Sequence, residues 1–271
     1  MTSYYLFILT LIGFVVTSCE DVIDVDLQTA PPKLVIDASI NWEKGTLGDV
    51  QQIKLSLTAP FFQDSVPPAN DAIVTITDQD GNVFNFIEQT NSGIYMNTNF
   101  APVLNSTYNL SVLYNGELYE ASTILLSVVD IETVEQKNDG GFSGDDIEIK
   151  VFYTDVPEVK NFYLFEFFND GITTLEVYDD QFTDGNTTFA FYSNEDLVQG
   201  DELIIKNYGV TLQYYEYLNI LLEQINTVNS GPFQVQPAIV RGNCVNKTNP
   251  NNFPLGYFRA SEVDIITYQI Q

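Results

Sequence analysis

Through most of this chain apolar residues recur at every second position, and that period of two narrows its fold more than any other feature. In Ile53-Lys54-Leu55-Ser56-Leu57 the apolar side chains fall on one face of an extended backbone and the polar ones on the other. Tyr108, Leu110, Val112 and Tyr114 alternate with Asn109, Ser111 and Leu113 in the same way. Between such runs stand dipeptides that supply the positive φ of a tight hairpin. Asp80-Gly81 separates strands expected at 72–77 and 83–87, and Asn115-Gly116 precedes one expected at 118–126.

A first folded unit is therefore expected over 34–128, opening with a strand at 34–40, as an immunoglobulin-like or fibronectin-like β-sandwich without the disulfide of antibody domains. From 129 to 271 the pattern continues as a second β-rich domain. Ile147, Ile149, Val151 and Tyr153 alternate with Glu148 and Lys150, and 162–168 is a nearly unbroken apolar run, as suits a strand buried on both faces. Turn-rich stretches at 138–146 and 179–187 interrupt these strands, 203–207 continues the pattern, and a closing strand is expected at 263–270. One segment departs from period two. Leu212, Tyr215, Leu218, Leu222 and Ile225 recur every three or four residues, which predicts an amphipathic helix over 211–226, capped by Thr211 and stopped by Ser230-Gly231-Pro232. The expected architecture is all-β: two immunoglobulin-like β-sandwich domains in tandem, the second carrying one helix.

The N-terminus is of another kind. Residues 4–16 are apolar except for Thr10, and as a helix they would span ~20 Å against a hydrocarbon layer of ~30 Å, the length of a signal sequence rather than of a membrane anchor. The run ends in Val16-Thr17-Ser18-Cys19, which resembles the bacterial lipobox. Cleavage is then expected between Ser18 and Cys19, with diacylglycerol on the Cys19 thiol, although 1–7 lacks the usual basic residues. On this reading 1–18 is a lipoprotein signal peptide and 19–33 an acidic tether ending in Ala30-Pro31-Pro32-Lys33. Glu20, Asp21, Asp24 and Asp26 resemble the acidic signal that directs Bacteroidota lipoproteins to the outer face of the cell outer membrane. Several acyl chains hold such a protein to the bilayer almost permanently. With Cys19 acylated, Cys244 has no partner in a chain of two cysteines, and a structural role is expected for it.

Composition removes several chemistries. The chain has no histidine, which excludes Ser-His-Asp and Cys-His catalysis and the commonest zinc ligand. A formal charge of -27 is repelled by nucleic acid. No glycine loop of the phosphate-binding kind is present. Carboxylate-only chemistry, as in glycoside hydrolysis, survives. Two acidic segments have the oxygen ligands that calcium takes, Asp78, Asp80 and Asn82 in a hairpin and Asp139, Asp145 and Asp146 in a Gly-rich loop, but neither fits the EF-hand spacing. No cofactor is expected, calcium being the one ion weighed. The sequons at Asn105, Asn109, Asn186 and Asn246 are chance matches in a chain rich in Asn, Ser and Thr. Tyr214, Tyr215 and Tyr217 crowd the start of the helix and are the candidate ligand surface.

Three features together, Cys19 followed by Glu20-Asp21-Val22-Ile23-Asp24-Val25-Asp26-Leu27, the strand Lys33-Leu34-Val35-Ile36-Asp37-Ala38, and Gly256-Tyr257-Phe258 with Ala260-Ser261, resemble Bacteroidota outer-membrane lipoproteins of domain-of-unknown-function family 4249. That resemblance implies a lipoprotein often encoded beside a TonB-dependent transporter, and it carries over no catalytic residue. The expected function is that of a surface-exposed, non-catalytic accessory that binds a ligand or docks on such a transporter in nutrient uptake. The alternatives are a carboxylate-dependent, glycosidase-like hydrolase and an adhesin-like structural module.

Overall fold

Turn chemistry places the hairpins. Asn115 and Gly116 both sit at positive φ, 48° and 78°. They join β6 (Thr107–Tyr114) to β7 (Glu117–Leu126) in antiparallel register from Tyr114↔Glu117 to Thr107↔Ile124. Asp80-Gly81 turns β3 (Ile73–Asp78) into β4 (Val83–Glu88). In the computed structural model the described residues are 31–60, 63, 65–141, 144–227 and 239–271, and Pro32–Gln271 form one compact unit. Ser18, Cys19, Glu20, Asp21, Asp24 and the Ser230-Gly231-Pro232 stop lie outside the described residues.

β1 (Leu34–Glu43) pairs with β2 (Gln51–Leu57), β2 with β5 (Ile94–Asn97), and the ladder continues through β4, β3, β6 and β7. The last strand, β15 (Leu255–Gln269), then closes the circuit. Its first half runs parallel to β1, from Val35↔Leu255 to Glu43↔Val263, and parallel to β7 at Ala260↔Leu125 and Ser261↔Leu126. The eight strands β15-β1-β2-β5-β4-β3-β6-β7 therefore form a closed barrel.

This corrects the expectation of two immunoglobulin-like sandwiches in tandem. An open sandwich would leave β1 and β7 as edges with unpaired N–H and C=O groups; inserting β15 between them satisfies both. Ile36, Ile40, Ile53, Leu55, Tyr108 and Phe258 fill the barrel interior.

Beyond Val263, β15 pairs antiparallel with β13 (Glu202–Gly209), β13 with β10 (Phe162–Asn169), and β10 with β11 (Ile172–Asp179). A separate sheet of β8 (Thr133–Gly140), β9 (Asp146–Thr154) and β12 (Thr187–Asn194) covers one face, where Ile149, Val151 and Tyr153 share a core with Tyr163, Phe165 and Phe167. Phe162, Leu164, Tyr208 and Val263 on the other face take up helix α1 (Leu212–Thr227). The unbroken apolar run of β10 follows from this: both of its faces are covered.

Thr211 caps α1, its Oγ1 accepting from the Tyr214 amide at 3.3 Å. The buried side of the helix differs from the stripe read in the sequence. Leu218 is buried, with Tyr214, Tyr215 and Leu221 packed beside it, whereas Leu212 and Ile225 at the two ends are 47% and 59% exposed.

Candidate functional site

One turn of helix cannot send three closely spaced rings the same way, and Tyr214, Tyr215 and Tyr217 divide. Tyr215 turns to the sheet and packs on Phe162 with ring centroids 5.0 Å apart. Tyr214 and Tyr217 stack at 6.0 Å and both reach Tyr257 of β15, at 4.8 and 4.9 Å. Burial pushes the Tyr217 and Tyr257 phenols up to about 12, so both remain hydrogen-bond donors at neutral pH.

Gly256 sets the position of Tyr257. Its φ is +88°, and a Cβ there would stand 2.1 Å from the Ile36 carbonyl oxygen, so only glycine lets β15 approach β1 this closely. From that point the strand alternates. Phe258 and Ala260 enter the barrel core, while Tyr257 and Arg259 face the tyrosines on the outside.

The Arg259 guanidinium lies 4.6 Å from the Tyr208 ring and 5.6 Å from the Tyr214 ring. Arg259 is 8% exposed, and its Nε and Nη1 have no hydrogen-bond partner. No ion pair found among the described residues includes it. It lines an open groove of about 400 Å³ whose walls carry Asp37 and Ser39 of β1, Lys54 of β2, Glu166 of β10 and Lys206 of β13. Glu166 is engaged already, accepting from Lys206 Nζ at 2.7 Å and from the Tyr208 hydroxyl at 2.8 Å. Lys54, Lys206 and Arg259 thus bring three of the chain's 10 basic residues to one groove, against a formal charge of -27.

Sequence reasoning missed Tyr208 and Arg259, and reached Tyr257 only as part of the Gly256-Tyr257-Phe258 element. The available signal is the alternation of Tyr257, Arg259 and Ser261 with Phe258 and Ala260, which marks two faces on this element.

The remaining candidates take structural positions. Asp78 caps its hairpin, accepting from the Asp80 and Asn82 amides at 2.9 and 2.8 Å and from Asn82 Nδ2 at 2.8 Å, so its oxygens serve the turn. Asp139 pairs with Lys137 at 3.6 Å on the surface. Among the described residues no three His, Cys, Asp or Glu side chains converge as a ligand set. Cys244 is buried against the barrel core, and burial pushes its thiol up to about 12. The Asn-rich stretch that follows is tied down by one carboxylate: Glu117 accepts from the side-chain amides of Asn246, Asn249 and Asn252 at 3.0, 3.2 and 2.6 Å and from the Tyr119 hydroxyl at 2.7 Å. A second depression, of about 420 Å³, carries Asp146, Glu176 and Glu195. There the Glu176 carboxyl, on the face of β11 that it shares with Thr174 and Tyr178, is raised above its ordinary value by desolvation among its neighbours.

A family model described as a domain of unknown function, DUF4249, matches residues 20–266. The chain belongs to this family. The match takes in both the Gly256-Tyr257-Phe258 element of this DUF4249 chain and the helix packed on it. No curated protein is significantly similar to it. Among solved structures it is similar to a segment of two fibronectin type-III domains from chicken tenascin, at 12% identity and a TM-score of 0.22, over 66% of this chain and 90% of that one. It is also similar to a DUF4785 family protein from Legionella pneumophila, at 12% identity and a TM-score of 0.26, over 65% of this chain and 52% of that one. Likeness at this level fixes no fold, and the barrel rests on its own strand pairing.

Proposed function

We propose that this DUF4249 chain is a Bacteroidota outer-membrane lipoprotein, anchored through Cys19, directed outward by Glu20, Asp21 and Asp24, and serving as a non-catalytic accessory that binds a ligand or docks on a TonB-dependent transporter. The address rests on Val16-Thr17-Ser18-Cys19 closing a short apolar run, with acidic residues immediately after it. The binding role is carried by one observation, the open groove in which a buried, unpaired Arg259 lies beside a cluster of tyrosines. Purification of the tagged chain from outer membranes tests this reading: a TonB-dependent transporter should accompany it, and Cys19→Ala should release it from the membrane. Recovery of the wild-type chain only from the medium or the periplasm contradicts the reading.

A second reading, a carboxylate-dependent hydrolase at the cell surface, draws support from the depression that Glu176 shares with Asp146 and Glu195, its carboxyl raised in the direction a general acid needs. Turnover of chromogenic glycosides that disappears in Glu176→Gln would favour it over the first.

A further inference from the structure

We propose that the groove around Arg259 binds one carboxylate group of a small polar ligand, of the kind borne by a peptide C-terminus or an acidic sugar. This rests on the ligand-binding reading above and names the chemistry of its ligand. Burying a guanidinium without acceptors is costly. The faces of Tyr208 and Tyr214 recover part of that cost but accept no N–H bonds from Nε and Nη1. Glu166, the carboxylate on the neighbouring wall, is held by Lys206 and Tyr208 instead. An acceptor entering the groove meets the Arg259 side chain in its lining, and a carboxylate makes strong, charge-assisted bonds with a guanidinium.

Charge and wall chemistry narrow the ligand further. Lys54, Lys206 and Arg259 against Asp37 and Glu166 leave a single net positive charge, which suits a monoanion. A phosphate dianion would face two carboxylates as well as the acidic surface around them. Ser39, Asn41 and Gln52 offer hydroxyl and amide partners, and Val50 is the one aliphatic side chain in the lining, so hydroxyl-rich or peptide-like neighbours of the carboxylate find hydrogen bonds.

The full chain, purified in detergent, is titrated calorimetrically with galacturonate, galactose, trialanine and trialanine amide. At least one acid should bind saturably, and its neutral counterpart should bind about tenfold more weakly, the effect of one charged hydrogen bond. Which acid binds identifies the source of the carboxylate. Arg259→Gln should abolish binding, and Lys54→Gln, on an exposed wall, should weaken it about threefold without lowering the melting temperature. If Arg259→Gln does not fold, the acid-to-neutral ratio and Lys54→Gln decide the matter. The proposal is overturned if neither acid binds, if acid and neutral probes bind alike, if inorganic phosphate outcompetes both, or if a folded Arg259→Gln binds as the wild type does. Lipidation and transporter association play no part in this titration, so its failure is distinct from theirs.

Discussion

Replacing Phe258 by alanine tests the barrel through its closing strand. Phe258 is fully buried, lies opposite Ala38 of β1, and shares the core with Ile36 and Ile40. Removing such a ring from a close-packed interior costs about 3–5 kcal/mol, partly through lost burial and partly through the cavity left behind. Against a total stability of about 5–15 kcal/mol the loss is large, and at about 2–4 °C per kcal/mol for a chain of this size it lowers the melting temperature by roughly 6–20 °C. The chain's single tryptophan, Trp42, is on β1 opposite Glu262 of β15, so its fluorescence follows the barrel. Urea unfolding monitored at Trp42 should therefore shift by the full amount in Phe258→Ala. If β15 belonged only to the C-terminal half of the chain, the Trp42 transition would stay where it is in the wild type while a separate transition moved. That result would refute the closure.

Gly256→Ala should destabilise the fold by about 2 kcal/mol or more, because strain at positive φ adds to a Cβ 2.1 Å from the Ile36 carbonyl oxygen. Gly45→Ala, with open space around its Cβ, should cost only about 1–2 kcal/mol in paired thermal melts. Cys244, with its thiol pushed up to about 12 by burial, should resist iodoacetamide in the native protein and react once urea is added; rapid native labelling would contradict its placement. Asp78 and Glu117 are both held below the ordinary carboxylate range, chiefly by the Asn82 side-chain amide and the Tyr119 hydroxyl respectively. Their folded values lie below their unfolded ones, so the stability they contribute is complete only above the unfolded values, beyond about pH 5, and is lost as pH falls through the folded values. Asp78→Asn and Glu117→Gln should flatten the acid limb of the stability curve, and an unchanged limb would show that these bonds do not form.

What could be read in the sequence was local. The Asn115-Gly116 hairpin, the doubly buried β10 and the Thr211 cap each carry their signal within a few residues, and each is found in place. Closure of the barrel is not local. It pairs Val35 with Leu255 in parallel across most of the chain, and no period or turn dipeptide records which distant edge a strand will fill. Read from residues 263–270 alone, β15 fits a sandwich of its own, and the period-two pattern then favours two sandwiches in tandem. The candidate surface was half legible for the same reason. Tyr214 and Tyr217 stand out on the helix, but Tyr257, Tyr208 and Arg259 join them only through tertiary packing. Helix periodicity also misplaced the buried stripe, since tyrosines hold the positions over the sheet while Leu212 and Ile225 stand at the exposed ends.

Mass spectrometry of the mature N-terminal peptide from purified outer membranes tests the account most directly. It should begin at Cys19 and carry diacylglycerol on the thiol, with Ser18 and everything before it removed. A peptide that retains Ser18, or begins at Cys19 with a free thiol, would contradict an anchored surface accessory.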